Sequence, residues 1–389
     1  MTSQPAVEGG PARRSLLKTA ALATGALALP AVTAPAPAAA AGLRQIPHLG
    51  PHQAGITTPA QPFAAFAACN VQAPDRDALE RLLRTLTRRI AFLTTGGSPA
   101  DQDGDNGMLG PLVPADNLTV TVGVGASLFD DRYGLAGARP LRLTAMRAFP
   151  EDRIAFGDAH GDLSLQICAD SRDTVLHALR DLLAHTDGAL ELRWRVDGFQ
   201  NRPRPDSAQR NLMGFKDGIA NPDTGSDREM DRLVWVQPDG GEPAWAAGGS
   251  YQVLRVVQML SEAWDRMPAT DQEQVIGRRK DSGAPLDRIP PGAHIRRADP
   301  HTPQTADSRI LRRGYNFDRG VDASGRLDLG LLFCCYQQDV VRQFEAVQAR
   351  LAGEPLADFT VPTGGGYFFA LPGVRDDSDW LGRGLLAAG

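Results

Sequence analysis

The chain has 389 residues, with 41 Lys and Arg against 46 Asp and Glu and a formal net charge of −5. That near-balance, without a Lys/Arg-dense block beyond the first few dozen residues, argues against a nucleic-acid partner. No later stretch reaches the roughly 18–20 apolar residues of a membrane span, whereas 42% apolar content supports real cores and the length predicts two domains.

The N-terminus has its own character. Arg13-Arg14-Ser15-Leu16-Leu17-Lys18 leads into an apolar run over 19–32 and then Ala39-Ala40-Ala41. This is a basic region, an apolar region too short to span a bilayer, and a small-residue cleavage site. The arginine pair predicts a twin-arginine signal over 1–41, an address read by the export machinery. The mature chain would then be exported to periplasm, cell envelope or medium, without a stable span. Such export carries folded proteins, often with a cofactor already inserted.

From residue 62 onward the chain alternates strand and helix patterns. A short apolar strand is expected over 62–70. A helix over 75–93 follows, with Leu79, Leu82, Leu83, Leu86 and Ile90 at helical spacing. Strands are expected over 118–124 and 162–169, a helix over 171–185 and a strand over 190–196. The second half repeats the order: strand 250–259, helix 261–276, strands 309–312 and 327–336, helix 339–351 and strand 367–371. An Asp before each second helix, Asp170 and Asp339, suits a cap or first-turn position. The fold class is therefore α+β, a duplicated split βαβ unit with two antiparallel sheets and peripheral helices. The boundary falls in the Pro-rich 201–206, giving domains 42–206 and 207–389.

The four cysteines, Cys69, Cys168, Cys334 and Cys335, sit in apolar strand-like runs. No CxxC occurs, so zinc ribbons, thioredoxin chemistry and covalent CxxCH haem are not supported. The expectation is buried free thiols, with Cys334 and Cys335 on opposite strand faces.

Chemistry concentrates in two segments. Asn211-Leu-Met-Gly-Phe-Lys-Asp217-Gly218 places an Asp between glycines, which by itself reads as a tight turn. Downstream, Gly292-Ala-His294-Ile-Arg precedes Ile310-Leu-Arg312-Arg313-Gly. Adjacent arginines in a strand face opposite ways, so one points into packed protein and there needs an anionic partner. Any one of the seven histidines is more often surface or core than a ligand.

Together GFKDG at 214–218, AHIR at 293–296, ILRRG at 310–314, PHQAGI at 51–56 and GGGYFFALPG at 364–373 resemble the dye-decolourising peroxidases. They are most similar to the exported bacterial deferrochelatase/peroxidase subgroup, from about residue 50 to the C-terminus. The resemblance implies two facing ferredoxin-like units, the dimeric α+β barrel arrangement, and one haem b per chain. It implies His294 as axial iron ligand, chosen over His301 by its distance from Arg312. It implies haem contacts at Gly218, Ile219 and Ala220, and at Asp299, Pro300 and His301. Arg278 would pair with a propionate, and Glu354 would be the carboxylate behind His294. Asp217 would move peroxide protons and Arg312 would stabilise the leaving oxygen. Phe333 and Leu331 would close the pocket, while Gly314 stands where some relatives carry an Asn. An ordinary Asp titrates near ~3.9 and His near ~6.5, so an Asp base implies an acidic optimum.

The implied activity is oxidation of dyes, phenols or other small reductants by hydrogen peroxide, one electron at a time. Release of iron from haem and a haem carrier without turnover stand as alternatives. The physiological reductant and the radical-bearing surface residue stay open, as does a homo-oligomer.

Overall fold

The structure, a computed structural model, describes residues 44–99, 106–204 and 208–389. The segment read as an export signal and part of the 201–206 boundary lie outside them.

The first half supplies strand β1 (Phe63–Val71), helix α1 (Arg76–Thr95), strands β2 (Thr119–Gly125) and β3 (Leu163–Ala169), helix α2 (Arg172–Ala184) and strand β4 (Leu190–Phe199). Asp75 starts α1 by accepting the Ala78 N–H at 2.8 Å, satisfying one of the helix's unpaired amides. The buried stripe of Leu79, Leu82, Leu83, Leu86, Ile90 and Leu93 then lays α1 on the sheet. Each such side chain contributes roughly 1.5–3 kcal/mol. Arg89 crosses to α2 and pairs with Asp181 through two short bonds, both groups buried.

The second half holds α3 (Asp227–Leu233), β5 (Ser250–Met259), α4 (Ser261–Asp265), α5 (Ala269–Ile276), α6 (His294–Ala298), β6 (Leu311–Arg312), β7 (Tyr315–Val321), β8 (Leu327–Gln337), α7 (Ala346–Leu351), β9 (Thr360–Ala370) and α8 (Arg383–Ala388). The helix expected over 261–276 is two, because Pro268 removes an amide donor and starts α5 afresh. The strand expected over 309–312 keeps only its last two residues, and β7 follows it in the same register along β8. Of the two capping aspartates, Asp339 accepts from Val341 and Arg342 N–H, whereas the Asp170 carboxylate is taken by Asn117.

Within the halves the strand orders are β2-β3-β1-β4 and β9-β5-β8-β7, the same pattern twice. The two sheets expected from the sequence do not remain separate. β2 pairs with β9 and β4 with β7, all antiparallel, so the order β5-β9-β2-β3-β1-β4-β7-β8 returns to β5. Each half covers the other's open edge, where unpaired backbone groups would otherwise face solvent. Gln53, from the PHQAGI segment, clamps the β2–β9 seam: its buried amide bonds Val122 N–H, Val122 C=O and Leu371 C=O.

Pleat alternation divides the side chains. Phe66, Cys168, Trp194, Leu254, Leu332, Cys334, Tyr336 and Phe368 fill the interior. Cys335 points the other way into the outer core with Val253 and Phe344. All four cysteines are free and buried, and burial pushes the Cys69 thiol up to about 12. Arg313 is the inward arginine, and its partner is not an anion. Its guanidinium meets the Thr58 and Pro59 carbonyls and the Gln61 amide oxygen, tying the 50–62 strap to the strand beside Arg312. Neutral carbonyls suffice because several converge on one delocalised cation.

The link over 156–161 crosses β9 at Gly364-Gly365-Gly366, where His160 N–H donates to Gly365 C=O at 2.7 Å. His160 has a left-handed backbone (φ 59°), rare for a non-glycine, and its carbonyl accepts from Trp194 Nε1. Burial, then the Arg193 charge, lower its pKa from 6.5. The unfolded side chain therefore takes the proton first, so this contribution to stability is full above 6.5 and is lost as pH falls below it. Thermal unfolding at pH values from about 7.5 down to about 5 should show a falling Tm. His160→Asn, which tolerates the same backbone, should flatten that slope; an unaltered slope would assign it to other groups.

Candidate active site

His294 opens the five-residue α6, after Gly292 and Ala293. Gly292 lies 3.7 Å, measured to a built Cβ, from the Pro355 ring, which brings the 292–294 turn against the 354–355 turn. Glu354 there is buried, and its carboxylate accepts from His294 Nδ1 at 2.8 and 3.0 Å. With Nδ1–H committed to a carboxylate, Nε2 carries the free lone pair, the tautomer suited to a metal ligand. Gly353, with φ 66°, presents its N–H to Glu151 and fixes the approach to Glu354. Beyond Glu354 lies an open recess of about 640 Å³ that includes Glu151, Arg153 and Asp358.

Asp217 sits in the turn its sequence predicts. Arg210 and Lys216 form an antiparallel bridge, the Asn211 side chain accepts from Met213 and Phe215 N–H, and Gly214 turns at φ 86°. Met213 and Phe215 anchor the loop in a cluster with Met259, Trp264 and Ile276. The turn nevertheless delivers chemistry: Asp217 Oδ1 receives Arg312 Nη1 at 3.2 Å and the Gly218 N–H at 2.7 Å.

Arg278 follows the left-handed Gly277 that ends α5. A built Cβ on Gly277 would lie within 3.1 Å of Ala293 and Ile295, so Arg278 emerges beside the His294 segment. Its guanidinium donates to Gly283 C=O, and no carboxylate pairs with it among the described residues. Burial, then the Arg312 cation, push its pKa below the ordinary arginine value. A second guanidinium beside Arg312, without a carboxylate of its own among the described residues, leaves positive charge available for an anion.

Along β8, Gly330, Leu332 and Cys334 are buried while Leu329, Leu331 and Phe333 are only part-covered. Phe333 lies opposite Arg255 on β5, and Cys335, one pleat further along the same face, lies opposite Arg312 on β6. Arg312 thus shares a sheet face with an incompletely covered apolar stripe. Gly314 faces Leu331 at 3.2 Å from a built Cβ, so a larger residue there would press on the stripe. Gly218, Ile219 and Ala220 are exposed, with Ile219 packed near Gly283. Asp299 and Pro300 are part-covered, and the Asp299 carboxylate accepts His301 N–H and approaches its ring at 3.5 Å. The His301 side chain is 82% exposed, against 30% for His294, and it lacks a buried carboxylate behind it.

The expected residues therefore fall into two coupled pairs, His294 with Glu354 and Asp217 with Arg312, and Arg278 stands near both segments. Sequence reasoning missed Asn221, which lies three residues beyond the GFKDG motif; side-chain pairing across 91 residues leaves no local signal.

A family model described as Dyp-type peroxidase, N-terminal, matches residues 53–200, and one described as Dyp-type peroxidase, C-terminal, matches 208–375. The chain belongs to the Dyp-type peroxidase family. A deferrochelatase of Yersinia pestis bv. Antiqua is 46% identical over 368 residues, covering 88% of this chain and 85% of its own. That of Escherichia coli strain UTI89 is 47% identical over 367 residues, 87% of each chain. Among solved structures, the DyP-type peroxidase from Cellulomonas bogoriensis superposes with TM-score 0.81 at 35% identity over 90% of this chain and 99% of that one. Ferric DtpA from Streptomyces lividans gives 0.82 at 33%, over 90% and 100%. The Dyp-type fold and a peroxidase activity follow from this membership.

Proposed function

We propose that this peroxidase holds one haem b between the His294–Glu354 pair and the Asp217–Arg312 pair, and uses it to oxidise small reductants with hydrogen peroxide. The carrying observation is that one ring nitrogen of His294 is fixed by a buried carboxylate while a second carboxylate meets a guanidinium. The surroundings fit the group. The part-covered Leu329, Leu331 and Phe333 offer an apolar wall, Arg278 offers a cation for an acidic substituent, and His294 Nε2 would offer the lone pair that holds the iron.

Bound haem would supply the iron at which peroxide is reduced and to which the reductant returns electrons. Glu354, by accepting the Nδ1 proton, increases the electron donation of His294. Asp217 takes the proton from one peroxide oxygen and delivers it to the other, which leaves as water. Arg312, permanently charged, stabilises negative charge on that leaving oxygen. Leu331 and Phe333 keep water from competing. Arg278 anchors a propionate, and the 218–220 and 299–301 turns border the cofactor.

Titrating the purified apoprotein with haem tests the cradle. Wild type should give a stoichiometric Soret band. His294→Ala should bind at least tenfold more weakly, since losing only the group that hydrogen-bonds a ligand costs about 10–100-fold in metal sites. Wild-type affinity and spectrum in that variant would remove His294 from the iron.

The curated relatives' name supports a second reading, removal of iron from haem, in the same cradle. Recovery of fluorescent metal-free porphyrin from the loaded protein would favour it. Export through the twin-arginine pathway is part of this proposal and is supported by Arg13-Arg14 and the apolar run that follows.

A further inference from the structure

We infer that Asn221 is the positioning residue that sets the Asp217–Arg312 pair, acting on Arg312 through its backbone. This rests on the assignment of those two side chains to the peroxide side of the site.

Strand β6 ends the strand order, so among the described residues only one of its edges is paired with a strand. On the paired edge Arg313 N–H donates to Cys334 C=O at 2.8 Å. Backbone polar groups alternate in direction along an antiparallel strand, so the N–H and C=O of Arg312 face the open edge. Asn221 fills that edge. Its Oδ1 accepts from Arg312 N–H at 3.1 Å, and its Nδ2 donates to Arg312 C=O at 2.7 Å. One amide side chain reproduces what a neighbouring strand would supply.

The other end of the clamp is the turn that carries Asp217. Gly218 adopts φ 76°, and Asn221 N–H reaches back to Gly218 C=O at 3.4 Å. Asp217 N–H is held by Gln209 C=O at 3.1 Å. The turn and the strand are thus locked together four residues from the carboxylate. The carboxylate–guanidinium contact cannot do this by itself. It is a single bond of 3.2 Å between side chains 26% and 31% exposed, the class of pair that holds geometry weakly. Among the described residues the Asn221 side chain bonds the Arg312 backbone and not the Asp217 carboxylate, so its effect passes through Arg312 and the turn.

The test is Asn221→Ala in the full chain, with Asn221→Asp as an isosteric second variant that keeps only the bond from Arg312 N–H. Amide hydrogen exchange in the haem-free protein should show protection of the Arg312 N–H lost in the Ala variant and retained in the Asp variant. In the haem-loaded protein, kcat/KM for peroxide should fall about 10²-fold in the Ala variant, the size expected when a group is misplaced by ~1 Å. The KM for the dye and the Soret band should stay at wild-type values. Placed on an Arg312→Leu background, Asn221→Ala should add no further loss. Wild-type protection of Arg312 in the Ala variant would overturn the clamp while leaving the assignment of Asp217 and Arg312 intact. So would a peroxide kcat/KM within threefold of wild type, or an additive loss on the Arg312→Leu background. If the Ala variant fails to fold, the Asp variant decides. It should lose peroxide kcat/KM because its carboxylate opposes the Arg312 carbonyl, and wild-type turnover there would overturn the clamp.

Discussion

Asp217→Asn and Arg312→Leu should each cut peroxide turnover by about 10²–10³-fold while leaving the Soret band of the loaded protein in place. The magnitude is that of removing one charge-stabilising donor or one positioned acid/base group. Neither side chain touches His294 or Glu354, whose own pair is made at 2.8 Å elsewhere in the fold. Stability should barely change, since a part-exposed ion pair contributes about 0–1 kcal/mol. Steady-state kinetics with peroxide as the varied substrate, beside a haem spectrum, separate the two effects. A haem carrier has no use for an acid/base beside a fixed cation. Wild-type turnover in both variants would therefore leave a binding protein and remove the assignment of these two groups.

The largest structural effect is expected from Gly365→Ala. Gly365 has φ 121°, and an added Cβ would sit 2.0 Å from Leu254 C=O and 2.8 Å from Arg255 Cα, both backbone atoms of β5. Neither atom can turn aside as a side chain would. Backbone strain of about 1–3 kcal/mol and overpacking of about 1–3 kcal/mol combine to about 2–6 kcal/mol. That is a large share of a typical stability of about 5–15 kcal/mol. The denaturant midpoint should drop accordingly. Gly137→Ala, where nothing lies within 4 Å, should stay within about 0.5 kcal/mol of wild type. A Gly365→Ala midpoint equal to that control would show that β5 and β9 can separate locally at no cost.

Much of the architecture was written in periodicity. The Leu79–Leu93 stripe, the doubled strand and helix order and the opposite faces of Cys334 and Cys335 all follow from repeats of 3.6 and 2 residues. Those patterns depend only on which face of an element meets the core, so local sequence carries them. The breaks came where one residue outweighed the pattern: Pro268 divided a helix, and the strand resumed as β7 after Arg313 and Gly314.

What local sequence could not decide was pairing between distant segments. Closure of two sheets into one depends on β2 meeting β9 and β4 meeting β7, and edge strands carry no label for their partner. Asp217 in its GxxDG turn reads locally as any Asp-Gly turn; the family resemblance pointed to its role beside Arg312, 95 residues on, and the fold places the two in contact. Arg313 was read as requiring an anion, but the fold supplies converging carbonyls from the 58–61 strap. The sequence by itself determined the elements, the duplication and the motifs that resemble a peroxidase family, because each is local in the chain. Only the tertiary structure decided which edge strands close the sheet and that Asn221 bonds the Arg312 backbone 91 residues away, because pairing between distant segments is a matter of a few ångströms in space.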